Sequence, residues 1–210
     1  MKHPPYILPF LFLFFFINNS FSQDTISFQN ASFDWGPPTA NAIPKGWKYC
    51  GGKNETPPDT HSAKTRHYGV NHAPYKGKYY VGLVVRSNFT RESIYQYLKE
   101  PVQKGKTYSM SLFAAMSDTF KSTDAMTMKL ARFTQPAIIR IWGIGEECQT
   151  KELLFESEPI DHINWKKIEI EFTPQMEHHR IMIEAFFDKM IDDPYNGNVL
   201  LDEISEIVEK

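Results

Sequence analysis

Apolar and polar residues alternate along most of this chain with a period of two. In "YSMSLFAAM", residues 108–116, Tyr108, Met110, Leu112, Ala114 and Met116 share one face. In "WKKIEIEF", residues 165–172, Ile168, Ile170 and Phe172 point one way while Lys167, Glu169 and Glu171 point the other. "RIMIEAFF", residues 180–187, repeats the pattern with Ile181, Ile183, Ala185 and Phe187. Successive side chains of a strand project to opposite faces, so each stretch reads as a strand with one buried face. Further strands are predicted in "KYYVGLVV" (78–85), "ESIYQYL" (92–98), "AIIRIW" (137–142) and "NVLLDEISEIV" (198–208), between turns rich in Pro, Gly, Asn and Asp. About eight to ten strands with no long amphipathic helix predict two packed antiparallel sheets, an all-β jelly-roll sandwich. One short helix is predicted around "SDTFKSTDAM", residues 117–126.

The start of the chain follows a different rule. Lys2 and His3 precede the apolar run "YILPFLFLFFFI" (6–17), and "NNSFSQ" supplies the small residues Ser20 and Ser22. That is the order of a secretory signal peptide, predicted over residues 1–22. The run is shorter than the roughly 20 apolar residues that cross a bilayer, and no second such segment follows. No cysteine stands after it to accept lipid. Residues 23–210 are therefore expected as one exported domain, in the periplasm, on the outer surface or secreted.

Charge changes the picture mainly by exclusion. The 23 Lys plus Arg are balanced by 25 Asp plus Glu without a basic block, which argues against nucleic acid as a partner. An aromatic content of 14% suits a β-protein and sugar binding alike, and so separates neither. Cys50 and Cys148 are the two cysteines. In an exported chain they form either a disulfide or two unpaired buried thiols, the even count favouring the bond. Gly-x-Ser-x-Gly, His-Glu-x-x-His and phosphate-loop motifs are absent, and a non-catalytic role is expected. Glu152, Glu156 and Glu184 could face a groove as carboxylates for glycoside cleavage, but nothing singles them out.

Two acids sit oddly among apolar neighbours. Parity puts Asp202 on the same strand face as Leu200 and Ile204, where an uncompensated carboxylate costs several kcal/mol or protonates. An Arg, backbone amides or a metal could compensate it. At the other end, "NASFDWG" (30–36) sets Asn30 and Asp34 around Phe33. These stretches, "NASFDWG" with "PKGW" and "NGNVLLDEISEI", resemble the galactose-binding-like jelly roll of many carbohydrate-binding modules. The resemblance implies a structural calcium held by Asp34, in place of that family's usual Glu, with Asp202 and backbone around Asn30. Ca²⁺ takes six to eight oxygens, which such a set could supply. In the middle, "GWKYC", "TPPDTHS", "GKYYVGLVV", "KELLFESEPI" and "NWKKIEIEFTP" resemble the exported β-sandwich found in bacterial surface proteins ahead of OmpA-like domains. That likeness covers nearly all of residues 23–210.

The longest polar stretch, residues 51–77, exceeds a passive strand connection of two to six residues. It carries Asp59, His61, Arg66, Tyr68 and Tyr75, a mixture of rings, guanidinium and carboxylate suited to a polar ligand. His61, His67 and His72 are spaced by six and five, which matches no compact zinc pair. "FFDKMIDDPYNGN" (186–198) reads as a solvated acidic turn or as a second calcium site. Trp47 and Trp165 are expected in the core, Trp142 packed and Trp35 in a loop. Two functions stand: a module binding a glycan or cell-envelope polymer, or a structural or adhesion subunit that contacts surface proteins. Exposed rings on a sheet face or in a loop cleft would favour the first, a flat apolar patch the second.

Overall fold

The strands are β1 (Thr25–Ile26), β2 (Asp59–Ser62), β3 (Tyr79–Val85), β4 (Ser93–Val102), β5 (Tyr108–Ala115), β6 (Lys121–Thr123), β7 (Leu130–Arg132), β8 (Gln135–Ile144), β9 (Lys151–Glu156), β10 (Lys166–Phe172), β11 (His178–Phe187), β12 (Gly197–Asp202) and β13 (Ile207–Glu209). They belong to a computed structural model that describes residues 24–52, 55–148 and 151–210. The signal sequence expected over 1–22 lies outside the described residues.

One layer runs β2, β3, β12, β5, β10, with β13 following β12 along the same edge of β5 and β1 outside β13. The other runs β4, β11, β8, β9. Pairing within each layer is antiparallel, and the layers join where β12 runs parallel to β8, at Gly197 opposite Gln135 and Asn198 opposite Pro136. This is the jelly-roll sandwich expected from alternation.

The faces predicted to be buried are the ones that meet. Val81 and Leu83, Met110 and Leu112, Ile170 and Phe172, and Val199 and Leu201 pack against Ile94, Ile139, Ile141, Ile181, Ile183 and Ala185. Full burial of such a side chain contributes about 1.5–3 kcal/mol. Trp47 belongs to this core, against Phe28 and Phe33.

A second apolar cluster lies on the opposite face of the first layer. Tyr80 and Val84 of β3, Ala115 of β5 and Leu200 of β12 are covered there by Val70, Phe120 and Phe133, with Tyr68 and Trp165 packed alongside. Strands β3 and β12 are thus apolar on both faces. The helix expected over 117–126 does not form. Residues 121–123 make β6, and Asp124 turns the chain by accepting hydrogen bonds from the amides of Met126 and Thr127 before β7 returns. A short acceptor side chain that bonds local amides favours a turn over a helix. Burial of Phe120 and Phe133 anchors both ends of the hairpin.

The terminal strand breaks in two. After Asp202, Glu203 takes φ 47° and Ser205 exchanges bonds with Ser111, its amide donating to the Ser111 carbonyl and its hydroxyl accepting from the Ser111 amide. Cys50 and Cys148 are disulfide-bonded, joining the chain after Trp47 to the connection between β8 and β9.

Candidate functional site

The two isolated acids do converge, on one stretch of backbone. Asp34 Oδ1 accepts from the amides of Lys78 (2.7 Å) and Tyr79 (3.0 Å). Asp202 accepts from the amides of Lys76 (3.1 Å) and Glu203 (2.8 Å). Burial pushes the Asp202 carboxyl up to about 7, against the pull of those amides. Gly77 sits between them at φ 69°, where a Cβ would lie 2.1 Å from Asp34 Oδ2. Asn30 is a structural knot: Oδ1 accepts from the Trp35 amide, Nδ2 donates to the Lys45 carbonyl, and its own carbonyl accepts from Trp47 Nε1 and the Phe33 amide. Among the described residues no group of three or more His, Cys, Asp and Glu side chains could hold a metal ion.

The five residues expected to bind ligand are not brought together. Asp59 and His61 lie on β2, buried. The His61 ring has no exposed surface; it stacks on Tyr80, and burial pushes its imidazole down to about 3. Tyr68 stacks on Phe120 and takes a hydrogen bond at its hydroxyl from Asn41 Nδ2. Asp59 and Tyr68 line one cleft. Arg66 is exposed, and Tyr75 stacks on Phe113 at 3.6 Å, beside the Asp202 stretch.

The outer face of the second layer collects chemistry that sequence reading passed over. Tyr95, Met182, Trp142 and Leu153 form one row across β4, β11, β8 and β9. Ser93, Glu184, Arg140 and Glu156 form the next. All six ring–cation contacts among the described residues lie here: Lys48 and Arg180 each 4.4 Å from the Tyr97 ring centre, Arg140 3.4 Å and Arg91 4.5 Å from Phe186, and Arg140 and Lys151 each 5.6 Å from Trp142. Such contacts contribute about 0.5–1 kcal/mol each when exposed and hold the rings in place. Trp142 Nε1 donates to Glu184 Oε2 at 2.9 Å, and Arg140 Nε to Glu156 Oε2 at 2.7 Å. Tyr97 is 50% exposed and Leu153 44%. Glu152 stands apart, bonded to His178. The signal was present in "YQY" and "RIW", which place rings and a cation at the parity opposite to the core.

No protein-family model matches the chain, and no curated protein matches it in sequence. Solved structures do. A cyclase from Fischerella sp. TAU is 11% identical with a TM-score of 0.56, over 90% of this chain and 98% of that one. The K2 cleaved adhesin domain of Lys-gingipain is 11% identical with a TM-score of 0.51, over 90% and 99%. The CBM22-1 xylan-binding domain of Paenibacillus barcinonensis Xyn10C is 15% identical with a TM-score of 0.47, over 85% and 91%. At these identities the likeness to the first two establishes the fold, a jelly-roll sandwich, and nothing of the ligand.

Proposed function

We propose that this chain is an exported, non-catalytic module that binds a glycan or cell-envelope polymer across the outer face of the second layer. One observation carries the reading: Tyr95, Tyr97, Trp142 and Phe186 lie on a single sheet face among Arg140, Arg180, Glu156 and Glu184. Sugars present apolar ring faces and hydroxyl edges together, and rings flanked by charged hydrogen-bonding groups suit both. A linear polymer would cross several strands and gather individually weak contacts. Retention in affinity gels containing soluble polysaccharides, neutral and acidic, tests this. Retention weakened about fivefold in a Tyr97→Ala variant that still folds supports it; a wild type that no polysaccharide retards refutes it.

The same reading includes a structural calcium at Asp34 and Asp202 with backbone near Asn30. It is supported by the meeting of both acids on residues 76–79 and by Asp34 Oδ2, which has no hydrogen-bond partner among the described residues. The other oxygens of the pair already accept amides, so most of the ion's ligands would come from backbone carbonyls and water. Contact with a surface protein is the second reading, favoured by the β6–β7 hairpin, where Met126, Met128 and Leu130 are 67%, 75% and 75% exposed.

A further inference from the structure

Beneath that hairpin lies a cleft of about 290 Å³, on the covered side of the first layer and away from the ring-bearing face. Its lining includes Asn41, Asp59, Tyr68, Arg86, Phe120 and Met128. Two buried carboxylates stand here against one guanidinium. Glu92, 1% exposed, takes Arg86 to itself: its Oε1 accepts from Arg86 Nη2 and from the Thr56 hydroxyl, and its Oε2 from the Val84 amide. Asp59, 4% exposed, is left with one bond, from the Asn41 amide to Oδ1 at 2.7 Å, while Oδ2 has no hydrogen-bond partner among the described residues. Lys121, Lys129 and Arg132 of the hairpin are exposed and do not line the cleft, and Arg66 does not line it either. His67 and Arg86 both act on Asp59 to favour its charged form, Tyr68 and Glu92 are its other titratable neighbours, and burial pushes the Glu92 carboxyl up to about 8.

The walls are apolar and aromatic. Tyr68 and Phe120 are stacked at 5.4 Å, and Phe133 packs behind Phe120. Tyr68 keeps φ 54°, a strained backbone for a residue with a side chain, which holds its ring against Phe120 and its hydroxyl at Asn41. An ionised carboxylate on an apolar floor is poorly solvated, and burial pushes Asp59 up to about 6. Arg86 also lines the cleft, but it is bonded to Glu92; a cation entering beside Tyr68 would pair with the free Asp59 oxygen and find rings around it.

We infer that this cleft is a second binding site, for a small organic ammonium ion, with Asp59 as its counter-ion and Tyr68 and Phe120 as its walls. The site is separate from the glycan face and does not depend on that reading. Calorimetric titration near neutral pH with choline, ethanolamine and the neutral carbon isostere of choline, dimethylbutanol, tests it. Choline or ethanolamine is expected to bind at least about tenfold more tightly than the isostere, a difference that a charge contact readily supplies. Asp59→Asn keeps an oxygen for the Asn41 amide and should lose that preference. Tyr97→Ala should leave it intact. Should Asp59→Asn fail to fold, Met128→Lys decides: this exposed rim position gains a repelling charge without touching the core, so weaker choline binding supports the site and unchanged binding overturns it. Absence of binding by both cations, an isostere that binds equally well, or a folded Asp59→Asn that still prefers choline also overturns it.

Discussion

The outer faces of the two layers are built from similar strands and meet opposite fates. Outside the first layer, Tyr80, Val84, Ala115 and Leu200 form an apolar surface that the β6–β7 hairpin and Tyr68 roof over. Outside the second, Tyr95, Tyr97, Trp142 and Phe186 are interleaved with arginine, lysine and glutamate and stay at the surface. An all-apolar outer face must be covered, because leaving it in water forgoes about 25 cal/mol for each Å². A face of rings held between charges can remain exposed, since its polar groups are solvated and its rings are ordered by cation contacts. The first face therefore works mainly for stability, with one cleft left at Asp59, and the second is free along its whole width to work for binding.

Substitutions should separate the faces cleanly. The largest effect is expected at the covered one: Phe120→Ala should cost about 3–5 kcal/mol, read as a shift in denaturant midpoint, because a buried ring leaves a cavity among Tyr68, Phe133 and His61. Cys50→Ser with Cys148→Ser should cost about 2–4 kcal/mol, since the bond closes a separation of 98 residues in the unfolded chain. A variant pair that melts like wild type would show that the bond adds no stability.

Calcium comes next. An ion saturated about 100-fold over its dissociation constant would add roughly 2.7 kcal/mol, so chelator should lower the melting temperature of wild type but not of Asp34→Ala. Equal melting with and without chelator removes the ion from the account. Asp202 sharpens the same point through pH. Its carboxyl is raised to about 7, so the folded chain holds the proton more tightly than the unfolded chain does. The resulting stabilisation is complete below the ordinary carboxylate value of about 4 and is lost as pH rises through about 7. In chelator, the stability gap between wild type and Asp202→Asn should accordingly narrow from mildly acidic pH to pH above 7. A gap that widens instead would mean that Asp202 is held ionised in the folded state. The smallest stability effect belongs to the open face: Tyr97→Ala should cost about 1 kcal/mol of unfolding free energy, from its contacts with Lys48 and Arg180, while weakening polysaccharide retention about fivefold, the loss of roughly 1 kcal/mol of stacking. If binding is unchanged while stability falls, the open face is structural after all.

Much of this molecule was already legible in its residue pattern. Alternation in 108–116, 165–172 and 180–187 marked β5, β10 and β11 and chose the correct inward faces, because a strand's period of two is local and needs no partner to be read. Two cysteines in a chain expected to be exported pointed to the bond that forms. The oddity of Asp202 was legible too, but its resolution was not: the amides that meet it belong to Lys76 and Glu203, and the first of these is brought across by β3 pairing with β12. Residues 51–77 read as a free polar loop because their polar groups show in sequence while the surface under them does not. In the fold, Asp59 and His61 become an edge strand and Tyr68 part of a roof. The sequence by itself determined the long alternating strands, their inward faces and the pairing chemistry of the cysteines. Only tertiary structure decided which outer face is covered and where Asp59 keeps an unpartnered oxygen, since both depend on segments far apart in the chain whose meeting no local period records.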